Sequence, residues 1–266
     1  LAWLAVDLAE QSGAAVLQLI GSPFHTDVGL RPVRRLLERR CGIDRNSDPV
    51  QRLDQLENEL RRVSLDPDAT VPALAPLLRI DVHGRYQPVH ADGRKLSELI
   101  ARAINDYLLA CIGTAPTLVL VEDMHHFDPS SRDVVQTLLT GDLGGHTLVT
   151  ATTREYPNRV DLPRTRTFRL DPLTDSETDQ LIVALHPDIA HSDQLAVRRR
   201  CDGIPLYIEE VVAKLRAQST TDGSGPGEVP DSPYEALFTR LRASTAATPV
   251  IEAAALLGSR IDRHLL

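Results

Sequence analysis

The stretch TLVLVEDMHHFDPSS, residues 117–131, decides the fold. Its first five residues are apolar or β-branched and run straight into two adjacent carboxylates, Glu122 and Asp123. A run of that length and type is a buried strand. Asp128 then offers an N-cap and Pro129 a first helical residue, so a helix from 129 to about 139 follows at once. A buried strand that ends on two negative charges has two readings. Either it surfaces there and the charges are solvated, or the carboxylates hold a metal-bound phosphate.

Outward from this stretch, AAVLQLI at 14–20 and HTLVTATT at 146–153 are further strands, and RTFRLD at 166–171 is a short, edge-like one. Helical spacing covers 1–12, RPVRRLLERRCG up to Gly42, and 48–63 with Asp48 as N-cap. A short helix is expected near VPALAPLL and a long amphipathic one over about 94–112. Strands separated by helices of this length define an α/β domain with a parallel sheet. After Pro172 the strand signals cease. Thr174 and Glu177 form a capping box, Ser192 caps a second helix that Gly203 stops, and Pro205 opens a third through Leu215. The expected division is therefore an α/β core at 1–171, a helical bundle at 172–216, a Gly/Ser/Pro-rich connector at 217–233, and two helices within 234–266.

The net charge of −8 and pI near 5.6 exclude a general nucleic-acid-binding surface. Arginines cluster at 31, 34, 35, 39 and 40 and again at 198–200, which reads as solvated helix faces. Three widely spaced cysteines, Cys41, Cys111 and Cys201, contain no CxxC pair and fit reduced thiols in a cytoplasmic protein. No apolar run reaches membrane-spanning length, and the start lacks the marks of a secretory signal. The only methionine is Met124, so an internal piece of a longer polypeptide is expected.

Parallel sheets bind ligands at the carboxyl ends of their strands. Glu122 and Asp123 lie at such an end. Phosphoryl-transfer sites need one carboxylate for Mg²⁺ or its waters and another group to orient the attacking water. The next strand ends in Thr152, Thr153 and Arg154, which brings a cation to the same end. The alternative is a surface arginine paired with a nearby acid. Gly203 and Pro205 make a rigid Gly-x-Pro turn that two helix ends explain equally well. His125, His126 and Asp128 do not make a metal site, because adjacent histidines diverge on a turn and no further Cys/His cluster completes the sphere. Ser130 and Ser131 are first-turn helix residues rather than nucleophiles, for lack of a G-x-S-x-G turn.

Taken in order, LVLVEDMHHFDPSS, TATTREY, RLDPLTDSETDQL and CDGIPLYIEEVV resemble the STAND subgroup of AAA-type P-loop ATPases. Such modules occur in large bacterial transcriptional regulators of the LuxR type and in proteins joined to class III adenylate or guanylate cyclase domains. The resemblance spans nearly the whole chain. It implies a P-loop NTPase-like sheet, a helical lid and the start of a winged-helix-like domain, with ATP and Mg²⁺ as cofactors in a cytoplasmic signalling switch. Glu122 matches the first Walker B acid, which holds Mg²⁺ through water, and Asp123 the second, which orients the attacking water. Arg154, with Thr153 beside it, matches the sensor at the γ-phosphate; Gly203 and Pro205 match the lid turn near the adenine. Other domains of the parent protein are the implied partners, and any DNA contact would fall to C-terminal domains outside this chain. Many relatives carry aspartate where Glu122 stands and an aromatic where His126 stands.

The resemblance also implies a G-x-x-x-x-G-K-[ST] loop, whose backbone amides cradle phosphates. The chain has only two lysines, Lys95 and Lys214, and neither sits in such a loop. The expectation is that residue 1 falls just past the motif and that the first strand of a 5-1-4-3-2 sheet lies upstream. Alone, the chain is then expected to be poorly stable, with unpaired edges on the flanking strands. The competing reading is a nucleotide-free scaffold descended from the same fold.

Overall fold

The computed structural model describes residues 2–24, 28–44, 47–82, 84–87, 89, 92–113, 115–154 and 165–219. The chain divides into two compact units, 1–165 and 166–266.

The first unit is built on three parallel strands, β1 (Ala15–Ile20), β2 (Thr117–Glu122) and β3 (Thr147–Ala151), in the order β1-β2-β3. Thr117 of β2 is level with Ala15 on one side and Thr147 on the other. The central place of β2 accounts for its unbroken apolar run: Thr117 to Val121 are all buried, and burial relaxes only at Glu122. Strand alternation sorts the side chains. Leu17, Leu19, Val119 and Val121 enter the main core, whereas Val16, Leu118 and Leu120 meet Val6 of α1 (Ala2–Gln11) on the opposite face.

The main core lies against α2 (Arg31–Cys41), α3 (Pro49–Arg62), α4 (Pro67–Leu78), α5 (Gly93–Ile112) and α6 (Pro129–Thr140). Side-chain caps set three of these starts, among them Asp48 with Gln51 in a capping box for α3 and Asp128 for α6. The fourth helix begins several residues before VPALAPLL, because Asp66 accepts from the Asp68 amide and Pro67 takes the first position; Pro72 and Pro76 are carried inside it.

The arginines of α2 are not a uniformly solvated face. Arg39 donates to the carbonyl of Gln18 in β1. Arg40 reaches Glu59, which is 3% exposed, at 2.8 Å. The Tyr107 hydroxyl donates to the same carboxylate at 2.7 Å and Arg62 from one turn further along α3 at 2.8 Å. One buried charge thus ties α2, α3 and α5 together. Burial alone would raise the Glu59 pKa, but the hydrogen bonds from Tyr107, Arg40 and Arg62 outweigh it and hold the carboxyl below its ordinary value. Burial pushes the Cys41 thiol up to about 12, which makes it an unreactive core residue.

In the second unit, 166–171 is not a strand. Phe168 and Leu170 alternate as a strand requires, yet they are 69% and 76% exposed. Alternation supplies a face, but a strand also needs a neighbour for its amides, and among the described residues this segment has none. The helices α7 (Asp175–Leu185), α8 (His191–Cys201) and α9 (Pro205–Ser219) bury Ile182, Val197, Cys201, Ile208 and Val211 between them. Thr174 and Glu177 form the expected capping box. Ser192 is not the N-cap of α8: the helix starts at His191, with the amides of Asp193 and Gln194 bonded to the carbonyl of Ala190. Helix α9 continues to Ser219, so the expected connector is helical at 217–219. The rest of that connector and the winged-helix-like segment lie outside the described residues. No helix among the described residues is long and apolar enough to cross a membrane.

Candidate functional site

The C-terminal ends of the three strands are stitched to one another. The Gly21 amide, just past β1, donates to the Glu122 carbonyl at 2.8 Å. On the other side Thr152, just past β3, makes three bonds to the end of β2. Its amide donates to the Val121 carbonyl at 2.8 Å, its carbonyl accepts from the Met124 amide at 2.9 Å, and its Oγ1 accepts from the Asp123 amide at 2.9 Å. Asp123 takes the left-handed conformation, φ 52° and ψ 47°, and leads into a single 3-10 turn, Met124–His126. That conformation disfavours a residue with a Cβ and is held here by the bonds on either side.

Gly21 makes this crossing sterically feasible. A Cβ at position 21 would collide with the Asp123 carbonyl oxygen and stand 3.1 Å from the His126 Cβ. Gly21→Ala is therefore expected to displace the Asp123 turn and to cost about 1–3 kcal/mol, the scale of an overpacked substitution. Urea denaturation of the variant measures this, and an unchanged midpoint would refute it.

Asp128 does more than cap α6. Its Oδ1 accepts from the Ser131 amide at 3.0 Å, while its Oδ2 accepts from the Ser131 hydroxyl and, at 3.1 Å, from the Leu30 amide at the start of α2. Leu30 is itself left-handed, with φ 58°. The carboxylate therefore joins the loop after β1 to the helix after β2.

The predicted residues fall into two groups. Glu122, Asp123, Thr153 and Arg154 share the C-terminal end of the sheet, where Glu122 and Asp123 are half-buried and Thr153 and Arg154 exposed. Gly203 and Pro205 belong to the second unit. There Gly203 is left-handed, φ 69°, with the Leu173 backbone filling the place a Cβ would take and its carbonyl accepting from the Leu173 amide at 2.8 Å; Pro205 is the first residue of α9.

Among the described residues the carboxylates of Glu122 and Asp123 and the Arg154 guanidinium enter no hydrogen bond or ion pair. Neither Glu122 nor Asp123 neutralises the arginine. Two uncompensated carboxylates and one uncompensated cation at a sheet end suit a ligand that brings both a cation and anionic oxygens, as a metal-bound phosphate does. The acids alone do not make a full coordination sphere, since the described residues contain no metal-type cluster of three or more His, Cys, Asp or Glu. Sequence reasoning missed Gly21 and the role of Thr152. The signal for Gly21 was its place at a strand end beside another strand end; nothing in the sequence announced which backbone crosses it.

Two concave regions are lined by none of these residues. A groove of about 730 Å³ on α7 and α8 is lined by Asp175, Asp179, Val183 and Arg198, and a cleft of about 270 Å³ by Pro72, Pro76, Ile80 and Leu96.

No family model matches the chain, and no solved structure does. The chain is similar to "Uncharacterized protein R02095" of Rhizobium meliloti (strain 1021), with 29% identity over 188 residues. The match covers 66% of this chain and 18% of that protein, so the chain spans less than a fifth of the relative's length.

Proposed function

We propose that this chain is part of an ATP-binding regulatory switch of a bacterial signalling or transcriptional regulator, of the STAND type that its motifs resemble. The observation that carries the reading is the shared sheet end, where Glu122, Asp123 and Arg154, whose charged groups have no partner among the described residues, follow strands stitched together through Thr152. Mg²⁺ would be held by Glu122 through water. Asp123 would orient the attacking water, and Arg154 would meet the γ-phosphate. Thr153 would contact the nucleotide from the same end, and Gly203 and Pro205 would form the lid turn.

The topology supports the same reading. The order β1-β2-β3 is that of strands 2, 3 and 4 in a 5-1-4-3-2 sheet. The outer edge of β3 is unpaired among the described residues, and Leu148 on that strand is 64% exposed. The sequence TLVTA carries neither charge nor proline, the usual protections of a free edge. A preceding strand that crosses over through α1 would fill that edge, since α1 packs over β1 and β2 and such crossovers are right-handed.

The test is titration with MgATP of a polypeptide extended upstream to include a G-x-x-x-x-G-K-[ST] loop. Asp123→Ala and Arg154→Ala are each expected to weaken binding or turnover by at least about tenfold, the scale of a lost charge-assisted contact. A gene with no such loop upstream, or an extended protein that ignores MgATP, would favour the nucleotide-free scaffold. That second reading has one observation on its side: neither Lys95 nor Lys214 lies in a phosphate-binding loop.

A further inference from the structure

We infer that His125 is a positioning residue: its ring nitrogen fixes the backbone from which Arg154 projects. Nδ1 of His125 accepts a hydrogen bond from the Arg154 amide at 3.4 Å. The bond joins the turn after β2 to the loop after β3, two residues beyond the Thr152 stitching. A neutral imidazole with its proton on Nε2 meets this requirement, and a protonated ring does not.

His125 is itself held at both its ring and its backbone. Its ring stands against the His126 ring, with centroids 4.0 Å apart and planes tilted by 45°. Arg132 of α6 donates to the His125 carbonyl at 3.4 Å. Helix α6 in turn starts at Asp128, whose carboxylate is bonded to Ser131 and Leu30. A chain of contacts therefore runs from the start of α2 and of α6 through the His125 ring to the arginine backbone. The guanidinium of Arg154 sits at the end of a long, rotatable side chain and has no partner among the described residues. Fixing its backbone limits where that charge can go, which is how a positioning group helps a site it does not touch.

The consequence for ligand binding rests on the nucleotide reading above; the backbone link does not. The experiment is therefore arranged in two arms. In the first, amide hydrogen exchange at Arg154 is measured in the whole chain for the wild type, His125→Phe and His125→Asn. Phenylalanine keeps a ring but has no acceptor, whereas asparagine offers a carbonyl oxygen near the place of Nδ1. Exchange at Arg154 is expected to speed up about tenfold in His125→Phe, the scale of one hydrogen bond, and to return towards the wild-type rate in His125→Asn. The amides of Leu120 and Val121 in β2 serve as the control that the fold is intact. Equal rates at Arg154 in wild type and His125→Phe overturn the inference, as does failure of His125→Asn to restore protection.

In the second arm the upstream-extended protein is titrated with MgATP. Binding is expected to weaken about tenfold in His125→Phe and to recover in His125→Asn. Unchanged affinity in His125→Phe overturns the role in ligand binding. If the extended wild type binds no MgATP, the nucleotide reading falls and the exchange data alone decide whether His125 fixes Arg154.

Discussion

Glu59→Ala is expected to destabilise the first unit by about 3–5 kcal/mol, because it leaves the largely buried Arg40 without its counter-charge. Arg40 would retain its hydrogen bond to the Tyr107 hydroxyl but no carboxylate, and Tyr107, fully buried, would lose Glu59 as acceptor. Equilibrium urea denaturation followed by circular dichroism measures the loss. Glu98→Ala supplies the comparison, since the Arg94–Glu98 pair is 91% and 65% exposed and its removal is expected to change little. Equal effects from the two substitutions would show that the buried network is energetically idle. The pH dependence follows from the lowered pKa of Glu59. A carboxyl whose folded pKa lies below its unfolded one binds fewer protons when folded. Its contribution is fully present above the ordinary glutamate value of about 4.3 and is lost as pH falls through the lower, folded value. Wild type should therefore lose stability in acid more steeply than Glu59→Ala below about pH 4.3.

Gly203→Ala is expected to destabilise the second unit by about 3 kcal/mol, the sum of a left-handed alanine and a forced backbone shift. Gly203 sits at φ 69°, and an added Cβ would run into the backbone of Leu173 at its nitrogen, carbon and oxygen. Backbone atoms do not swing aside as a flexible side chain does, so the turn between α8 and α9 must open. The Leu173 amide bond to the Gly203 carbonyl would then be lost as well. Thermal denaturation of the chain, with hydrogen exchange used to read α7 to α9 separately, measures this. Asp202, left-handed at φ 46° immediately before it, provides a control: Asp202→Gly relieves strain at the same turn and is expected to stabilise slightly. The glycine also bears on the lid role proposed for the Gly-x-Pro turn. Its close contact with Leu173 accounts for the residue type on packing grounds, so a nucleotide is not needed to explain why glycine stands there.

Much of the secondary structure was legible because it depends on neighbours in sequence. Asp48, Asp128 and Thr174 cap helices through amides two or three residues away. The run TLVLV is buried on both faces because β2 is central, and no alternation was needed to see it. RTFRLD failed for the complementary reason: its alternation is real, but pairing is a property of two strands. Arg40 looked like a helix-surface charge, since nineteen residues of sequence separate it from Glu59 and nothing local reports that their helices face each other.

The candidate site divides along the same line. Sequence alone identified Glu122, Asp123 and Arg154 as acids and a cation at strand ends, because strand length and the point at which apolar residues stop are written locally. It also determined the helical character of 172–216, from caps and punctuation. Only the tertiary structure decided that Thr152 clasps the Asp123 amide, that Gly21 must lack a side chain where Asp123 crosses it, and that His125 reaches the Arg154 backbone. Those contacts join residues 29 to 102 positions apart. Hydrogen bonds and van der Waals exclusion act over a few ångströms, and which distant segments come within that range is fixed by sheet order and register rather than by any local pattern of residues.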